Sequence, residues 1–243
     1  MSRIAVISDI HSNWQALKAV WARIQELGCD QVYCLGDIVG YGARPIECLE
    51  HLRKFSVTCV QGNHDALVAD GSLQLSFNVF SLAAVEHNRM QLNAEQLEYL
   101  NSLPTDLEPE PGIILSHGSP GDRDRYLLHR PDFVLLSEKM KSNDGGGICF
   151  FGHTHLPVAF DGHDFIDRSI VKVPINRQEM MLLNPGSVGQ PRDRDPRASF
   201  LYVDRQDETI NFERVEYDVD RTREEILAAG LPERLAARLL EGR

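Results

Sequence analysis

The sequence predicts an α/β fold, and three observations carry that prediction. Short β-branched apolar runs alternate with helical patterns through the first two thirds of the 243 residues. The order strand, helix, strand, helix, strand over residues 4–60 implies parallel pairing with right-handed crossovers. From Val158 onward the pattern changes to short strands separated by turns, which favours antiparallel hairpins and a second sheet packed on the first.

The first elements follow from local patterns. Short apolar runs predict three buried strands, over residues 4–7, 32–35 and 57–60. Ser12 or Asn13 can cap a helix whose apolar residues recur at helical spacing, and Gly28 ends it. A shorter helix is predicted over residues 45–52, with Pro45 in its first turn.

The middle of the chain is predicted to be more helical. Apolar residues from Phe77 to Met90 follow a helical period. Asn93 with Gln96 resembles a capping box at the start of the next helix, which Pro104 stops. Two further buried strands and a charge-dense surface loop are predicted, over residues 113–115, 148–151 and 122–130 respectively.

The last third is predicted to hold short strands and two helices. The strands cover residues 170–173, 180–183, 200–203 and 210–215, and the helices cover residues 222–229 and 232–240. The sequence contains neither an internal repeat nor a low-complexity linker. We therefore expect one domain over residues 1–243.

Composition excludes several classes of function. The 36 acidic and 25 basic side chains give a formal net charge of −11, which argues against a broad surface for nucleic acid or an anionic membrane. No apolar run approaches the roughly 20 residues of a membrane span. The five cysteines are scattered, so we expect core thiols in a reducing cytoplasm. A small anionic substrate remains compatible with this charge if a metal supplies positive charge locally.

Five clusters of histidine, aspartate and asparagine each follow a predicted strand directly. Because strand ends of one sense share one edge of a parallel sheet, we expect these side chains to meet there. Flanking glycines allow the chain to turn sharply and to approach closely at this edge. The residues are Asp9, His11, Asp37, Asn63, His64, His117, His153 and His155.

The chemistry of this set points to divalent metal ions. Oxygen and nitrogen ligands without thiolate suit Mn²⁺, Fe or Zn²⁺. Seven ligand side chains exceed what one tetrahedral zinc ion uses. They fit two metals about 3.5–4 Å apart with one bridging carboxylate, an arrangement that serves hydrolysis by in-line displacement.

These motifs resemble those of the calcineurin-like metallophosphoesterase superfamily. The similar segments are Asp-x-His at Asp9, Gly-Asp-x-x-Gly at Asp37, Gly-Asn-His-Asp at Asn63, the isolated His117 and Gly-His-x-His at His153. The resemblance runs from Asp9 to about Gly189 with the motifs in order. Residues 36–42 and 184–189 are similar to stretches of the small bacterial and archaeal phosphodiesterase-like branch.

The resemblance implies a four-layer α/β/β/α sandwich of two mixed β-sheets flanked by helices. It implies two metal sites that share Asp37: Asp9, His11, Asp37 and His155 in one, and Asp37, Asn63, His117 and His153 in the other. His64 would lie near the leaving group and either protonate it or stabilise transition-state charge. The nucleophile would be a metal-bound hydroxide.

One departure from the superfamily pattern bears on the substrate. Phosphoprotein phosphatases continue the second motif with Asp-Arg, where this sequence has Gly40 and Tyr41. The expected substrate is therefore a small phosphodiester or phosphoanhydride, with a nucleotide-derived compound as the leading candidate. The alternatives are a phosphomonoesterase or protein phosphatase, and a non-catalytic interaction module of the same fold. Asp65 is the nearest residue in sequence that could orient His64.

Other polar residues have ordinary interpretations. Six arginines in two aspartate-rich stretches are interpreted as solvated surface, with phosphate contact as the alternative: Arg123, Arg125, Arg130, Arg192, Arg194 and Arg197. Tyr41 and Tyr126 are interpreted as exposed or core tyrosines, with base stacking as the alternative. Residues 184–189 are expected to form a turn whose backbone N–H groups could also face the site. The sequence indicates neither the native metal nor the oligomeric state.

Overall fold

Two β-sheets lie at the centre of this protein, whose computed structural model describes residues 3–71, 78–141, 146–167 and 170–243. The strands are β1 (Arg3–Ile7), β2 (Gln31–Cys34), β3 (Thr58–Cys59), β4 (Asp106–Glu110), β5 (Ile113–Ser116), β6 (Gly147–Phe150), β7 (Pro157–Phe160), β8 (Lys172–Pro174), β9 (Met180–Pro185), β10 (Ala198–Asp204) and β11 (Thr209–Val215). The helices are α1 (Trp14–Glu26), α2 (Pro45–Lys54), α3 (Asn63–Asp70), α4 (Val79–Gln91), α5 (Ala94–Ser102), α6 (Arg130–Met140), α7 (Val219–Ala228) and α8 (Glu233–Glu241).

The first sheet has the strand order β3-β2-β1-β10-β11-β8. Its β1, β2 and β3 are parallel, as the sequence predicts, and Ile4 pairs with Gln31 in the register of β1 and β2. The remaining neighbours are antiparallel, so β10 and β11 form the predicted hairpin. The carboxyl ends of the parallel strands open toward one side of the molecule.

The second sheet has the strand order β4-β5-β6-β9-β7. Its three central strands, β5, β6 and β9, are parallel, and the edge strands β4 and β7 are antiparallel. The expectation of antiparallel pairing in the last third holds between β9 and β7 but is wrong between β9 and β6, where Met181 pairs in parallel with Ile148. The expectation that the last third forms the second sheet is wrong for β8, β10 and β11, which join the first sheet. Every residue of β9 is buried, and such a continuous run is typical of a central strand covered on both faces.

Alternation along the strands divides the apolar residues into layers. Ile4 and Val6 of β1 join a core shared with the second sheet, including Phe150 of β6. Ala5 and Ile7 face the other way and pack with α1 and α2. On the far side, α6 covers the second sheet through Phe133, which contacts Phe151 and Phe160. The expected four-layer α/β/β/α sandwich is therefore confirmed.

Several predicted elements occur where the sequence places them. Asn13 rather than Ser12 caps α1, since its side chain accepts a hydrogen bond from the Ala16 N–H at 3.1 Å. Asn93 and Gln96 form the expected capping box of α5. Phe77, assigned to the helix that becomes α4, lies outside the described residues. Within the described residues, no helix has both the length and the apolarity of a membrane span.

The sequence pattern does not predict α3, α6 or β4. The first six residues of α3 are all buried, so the helix has no polar face to reveal its period. Its first turn also contains Asn63 and His64, which the sequence analysis places directly after a strand as candidate site residues, without a helix. β4 contains Pro109 and lies at the edge of its sheet, where a missing N–H is tolerated.

Candidate metal centre

The predicted site residues lie at the ends of five strands and converge on one buried region. Asp9, Asp37 and Asn63 follow the parallel strands β1, β2 and β3 of the first sheet. His117 and His153 follow β5 and β6 of the second. The residues therefore do not share the edge of a single sheet. The two sheets pack face to face, so the carboxyl ends of their parallel strands meet.

One set of four buried side chains brings its ligand atoms within 4.8 Å of one another: Asp9, His11, Asp37 and His155. The Nε2 atoms of His11 and His155 are 3.1 Å apart. Asp9 Oδ1 lies 3.3 Å from His155 Nε2. Two imidazole nitrogens and a carboxylate oxygen thus point at a common space.

A second set surrounds His117. Its Nε2 lies 3.1 Å from Asn63 Oδ1, 3.2 Å from His153 Nδ1 and 3.4 Å from Asp37 Oδ2. The same Asp37 Oδ2 lies 3.5 Å from His11 Nε2 in the first set. One carboxylate oxygen therefore faces both sets.

Each of the four clustered histidines has its other ring nitrogen against a backbone carbonyl. The nitrogen-to-oxygen distances are 3.2 Å for His11 to Val39, 2.8 Å for His117 to Leu35, 3.1 Å for His153 to Asp124 and 2.6 Å for His155 to Gln190. In a neutral ring the nitrogen beside the carbonyl carries the proton and donates it. The nitrogen that faces the cluster then presents a lone pair, which is the state of a metal-binding histidine.

The backbone at the cluster is strained. Five of the seven predicted ligand residues have a positive φ, at 53° for Asp9, 49° for His11, 52° for Asp37, 65° for His153 and 59° for His155. Residues with a Cβ rarely occupy this region, and each instance costs roughly 1–3 kcal/mol. Such strain is concentrated at functional sites, because packing must hold these side chains in a fixed direction.

Burial keeps three of the clustered rings neutral. It lowers the pKa of His11 and His155 well below the usual value. Burial and the charge of His117 lower the pKa of His153 to about 3. At pH 7 these rings are uncharged and can act as nitrogen ligands.

The two carboxylates differ in charge state. Burial raises the pKa of Asp37. The surrounding imidazoles, His117 first, lower this pKa by a larger amount, so the net pKa is well below the usual value. Burial raises the pKa of Asp9 to about 7 against the opposing charge of His117. Burial lowers the pKa of His117, but Asp37 outweighs it and raises that pKa to about 9. A divalent cation would displace this proton, since ligating histidines are neutral.

The residues present fit a pair of divalent cations. Asp9 Oδ1 is buried and has no hydrogen-bond partner among the described residues, and such an atom is costly unless something binds it. The donors are imidazole, carboxylate and amide, without thiolate, a set that suits Mn²⁺, Fe or Zn²⁺.

His64 lies beside the cluster at the start of α3. Its backbone N–H donates to Asp37 Oδ1 at 2.9 Å. A Cβ at Gly40 would lie 2.6 Å from His64 Nδ1, so only glycine leaves room for this ring. Tyr41 packs against both His64 and His11, with ring centroids 4.5 Å and 4.6 Å away.

Asp65 occupies a different place from the one suggested by its position in sequence. Its Oδ1 accepts a hydrogen bond from the Val39 N–H at 3.1 Å, and its Oδ2 accepts one from the Gly62 N–H at 3.0 Å. Asp65 therefore joins the loop after β2 to the start of α3. The rings of Tyr41 and His11 pack against the His64 ring, with centroids 4.5 Å and 4.9 Å away.

Two buried asparagines support the loops of the cluster: Asn88, which the sequence analysis does not single out, and Asn184, which it includes in the segment over residues 184–189 without this role. Asn88 of α4 accepts a hydrogen bond from the Gly40 N–H at 2.8 Å and donates to the Gly42 carbonyl at 2.9 Å. Asn184 donates to the Gly152 carbonyl at 2.8 Å and to Thr154 Oγ1 at 3.0 Å. Asn88 lies in no motif, and the motif that contains Asn184 does not indicate which loop its side chain supports.

The segment over residues 184–189 forms hydrogen bonds with the loop that contains Asp9. The Val188 and Gly189 N–H groups donate to the carbonyls of Ser8 and Asp9, at 3.0 Å and 2.9 Å. Ser187 Oγ also donates to the Asp9 carbonyl, at 2.8 Å. These N–H groups are therefore used within the backbone and do not face the site.

A small cavity of about 140 Å³ opens next to the cluster, between Asn63, His64, His153 and Tyr126. Tyr126 is 48% exposed, and its ring lies 3.9 Å from that of His153. The cavity gives a phosphate-sized group access to Asn63 and His153 of the second set and to His64.

Three of the predicted surface arginines have different surroundings. Arg125 pairs with Asp132 at 3.2 Å, as expected of solvated surface. Arg123 donates a hydrogen bond to Gln61. Arg192 is half-buried and lies with its guanidinium 5.8 Å from the Tyr41 ring centroid.

Comparison with known proteins identifies the family. The model of the calcineurin-like phosphoesterase superfamily domain matches residues 2–208. An uncharacterized protein of Methanocaldococcus jannaschii is 38% identical over 245 residues, covering 100% of this chain and 99% of that protein. The crystal structure of a metallophosphoesterase from Sphaerobacter thermophilus superposes with a TM-score of 0.85 at 35% identity, covering 100% and 99% of the two chains.

A more distant relative carries an assigned activity. The phosphodiesterase YfcE of Escherichia coli is 25% identical over 214 residues, which cover 84% of this chain and 88% of YfcE. The matched family region contains every residue of the two metal-facing sets and His64, and ends before α7 and α8. From its sequence motifs, its cluster geometry and these matches, the chain belongs to the calcineurin-like phosphoesterase superfamily.

Proposed function

We propose that this protein is a dinuclear metal-dependent phosphoesterase that hydrolyses a small phosphodiester or phosphoanhydride. The single observation that carries the proposal is Asp37 Oδ2, which lies 3.5 Å from His11 Nε2 in one buried set and 3.4 Å from His117 Nε2 in the other. A carboxylate oxygen shared in this way is the feature required of a ligand that bridges two cations.

The ligand roles follow the two sets of side chains. One cation would be held by Asp9, His11, Asp37 and His155, and the other by Asp37, Asn63, His117 and His153. Mn²⁺, Fe and Zn²⁺ all suit these donors. When bound, two such cations polarise phosphoryl oxygens and lower the pKa of a coordinated water.

His64 acts on the leaving group. Burial lowers the pKa of His64 to about 4, since the opposing charge of Asp37 is the weaker effect, so the ring is neutral at pH 7. A neutral imidazole stabilises developing negative charge by donating its N–H, and it holds no additional proton to give. Of the two roles that the family resemblance implies, this neutral charge state favours stabilisation of the transition state.

Gly40 and Tyr41 support a diester or anhydride over a phosphoprotein. Gly40 has no side chain, and Tyr41 packs on His11 and His64. The aspartate and arginine that serve protein phosphatases at these positions are thus replaced by a glycine and an aromatic ring. The assigned activity of YfcE supports the same choice.

The five cysteines are free thiols, and four of them are buried. This arrangement supports a reducing compartment such as the cytoplasm.

The experiment that tests the proposal combines metal content with a choice of substrates. Purified protein reconstituted with Mn²⁺ should contain two metal ions per chain by elemental analysis. It should hydrolyse bis-p-nitrophenyl phosphate with a higher kcat/KM than p-nitrophenyl phosphate, and a chelator should abolish both activities. Protein without bound metal and without activity would support the interaction module instead, and a preference for the monoester would support the phosphomonoesterase.

A further inference from the structure

A second, larger cavity of about 590 Å³ adjoins the candidate metal centre. Tyr41, Asn78 and Tyr126 line both this cavity and the smaller one beside His64. The two cavities are therefore adjacent, and the smaller one reaches His64 and His153 at the candidate metal centre. Its volume lies in the range of small-molecule sites, roughly 300–1,000 Å³.

The far wall of the larger cavity carries an unusual concentration of positive charge. Arg192, Arg234 and Arg238 all line it, in a protein whose formal net charge is −11. The lining also includes Glu241, whose carboxylate pairs with Arg243 at 3.0 Å. Among the described residues, none of the three forms an ion pair with an aspartate or glutamate side chain, whereas Arg44 and Arg214 each do. The Nε of Arg192 is also buried without a hydrogen-bond partner within the described part of the chain.

These guanidinium groups disfavour one another's charge. Burial lowers the pKa of Arg238 to about 10, and the neighbouring charges of Arg192 and Arg234 contribute to the shift. The remaining contacts of Arg192 are neutral: its Nη2 donates to Gln190 Oε1 at 3.0 Å and to Tyr41 Oη at 3.4 Å. Arg238 donates to the Arg243 carbonyl. An anion in this cavity would offset the mutual repulsion.

The same wall carries aromatic rings. The guanidinium of Arg238 lies 5.9 Å from the Tyr41 ring centroid, and that of Arg234 lies 5.4 Å from the Phe80 ring centroid. Tyr126, which is about half exposed, lies across the opening. Aromatic faces next to arginines suit a ligand that combines phosphate with a flat heterocycle.

A rigid support fixes this wall. Leu235, Ala236 and Leu239 of α8 are buried in an apolar cluster with Ile226 of α7 and Ala84 of α4. The buried face of α8 thus anchors the helix, and Arg234 and Arg238, four residues apart, project from one side of it into the cavity. The arginines are therefore held at the mouth of the catalytic cluster by packing.

We propose that this cavity binds the leaving group of the substrate, and that this leaving group is a nucleoside phosphate. The arginines would hold its phosphates by bidentate contacts, and the aromatic rings would stack on its base. The inference rests on the proposed phosphoesterase function and specifies its substrate as a phosphoanhydride of the nucleoside polyphosphate class.

The reaction balances as a hydrolysis. The oxygen of one water bonds to the phosphorus atom at the metal cluster, and the bond from that phosphorus to the bridging oxygen breaks. The bridging oxygen leaves on the nucleoside phosphate in the arginine cavity. The protons of the water are divided between the two phosphate products and the solvent, and no redox change occurs.

Kinetics of a paired substrate set test the inference. Diadenosine tetraphosphate contains the nucleoside phosphate that the cavity would bind, and bis-p-nitrophenyl phosphate contains none. In the double variant Arg234→Gln/Arg238→Gln, kcat/KM for diadenosine tetraphosphate should fall about 10- to 100-fold more than kcat/KM for bis-p-nitrophenyl phosphate, because charge-assisted contacts are lost. The matched control Arg130→Gln/Arg177→Gln removes the same charge from exposed ion pairs away from the cavity and should leave the ratio unchanged.

Equilibrium binding provides a readout that does not depend on turnover. Calorimetry with ADP should show a Kd at least about tenfold weaker in the arginine double variant than in the control. Tyr126→Leu should weaken ADP binding while leaving pyrophosphate binding unchanged, because only ADP has a base to stack.

The outcomes separate this inference from the proposed function. Normal hydrolysis of bis-p-nitrophenyl phosphate with an unchanged substrate ratio and unchanged ADP affinity in the double variant would overturn the inference alone. Absence of phosphoester hydrolysis with arginine-dependent ADP binding would overturn the proposed function and leave the cavity as a nucleotide site.

Discussion

The metal cluster and the arginine cavity are adjacent but are built in different ways. The cluster is fully buried, polar and strained, and five of its predicted ligands have a positive φ. The cavity is open, and two of its arginines lie on α8, beyond the region that the family model matches. The first arrangement positions atoms for a reaction shared by a large superfamily. The second is suited to selecting the substrate of this particular chain.

This difference predicts a hierarchy of mutational effects. Changes in the cluster should reduce hydrolysis of every phosphoester. Changes in the cavity should alter the preference among substrates. Changes in the apolar support should act on stability alone.

The largest effect is expected at Asp37. Asp37→Asn keeps the shape of the side chain but removes the charge that both ligand sets face, so kcat/KM for bis-p-nitrophenyl phosphate should fall by on the order of 10⁴-fold. Elemental analysis should show fewer than two metals per chain. Asp207→Asn, which removes an exposed carboxylate paired with Lys172, is the matched control and should retain full activity. Normal turnover in the Asp37 variant would contradict the shared-ligand arrangement.

The next largest effect is expected at His64. His64→Asn should lower kcat by about 10²- to 10³-fold, because a donor to the transition state is lost. Metal content should stay at two ions per chain, since His64 is not a ligand in this account. His129→Asn changes an exposed histidine and serves as the control. Loss of metal together with activity would instead make His64 a ligand.

A smaller effect is expected at the buried amide that supports the last motif. Asn184→Ala removes two hydrogen bonds to the loop of residues 152–155, so metal affinity should fall by roughly 10- to 100-fold. Activity should recover at high Mn²⁺ concentration. Asn211→Ala, which removes a side-chain amide from β11, should leave the metal affinity unchanged. An unaltered metal titration in the Asn184 variant would exclude this supporting role.

The smallest effect on the rate of hydrolysis is expected in the apolar contacts between α8 and α7. Ile226→Ala should lower the free energy of unfolding by about 2–4 kcal/mol, because Ile226 is 2% exposed and packs against α8. Leu227→Ala, at the neighbouring position that is 48% exposed, should change it by under about 0.5 kcal/mol. Chemical denaturation measures both values. Equal losses in the two variants would contradict the assignment of α8 to a packed support.

The cluster could be predicted from sequence because its residues directly follow predicted strands. Each ligand follows a short apolar run, and topology places such ends together even when they belong to two different sheets.

The support of the cluster could not be predicted in the same way. Asn88 lies in a helix and Asn184 at the end of a strand, and each acts on loops that are 30 or more positions away in sequence. Tyr41 was interpreted as an ordinary tyrosine because only the folded chain brings its ring against His11 and His64.

The cavity was missed for a related reason. In sequence, Arg234 and Arg238 look like the solvated side of an amphipathic helix, and Arg192 stands beside aspartates. Their common surroundings arise only when α8 packs across α7 and α4. The charge of neighbours in sequence is therefore a poor guide to the charge of neighbours in space.

The most direct test of the central claim is an anomalous difference map from a crystal of the protein grown with Mn²⁺. The account predicts two peaks about 3.5–4 Å apart, one on each side of the Asp37 carboxylate. A single peak, or peaks that do not contact Asp37, would contradict it.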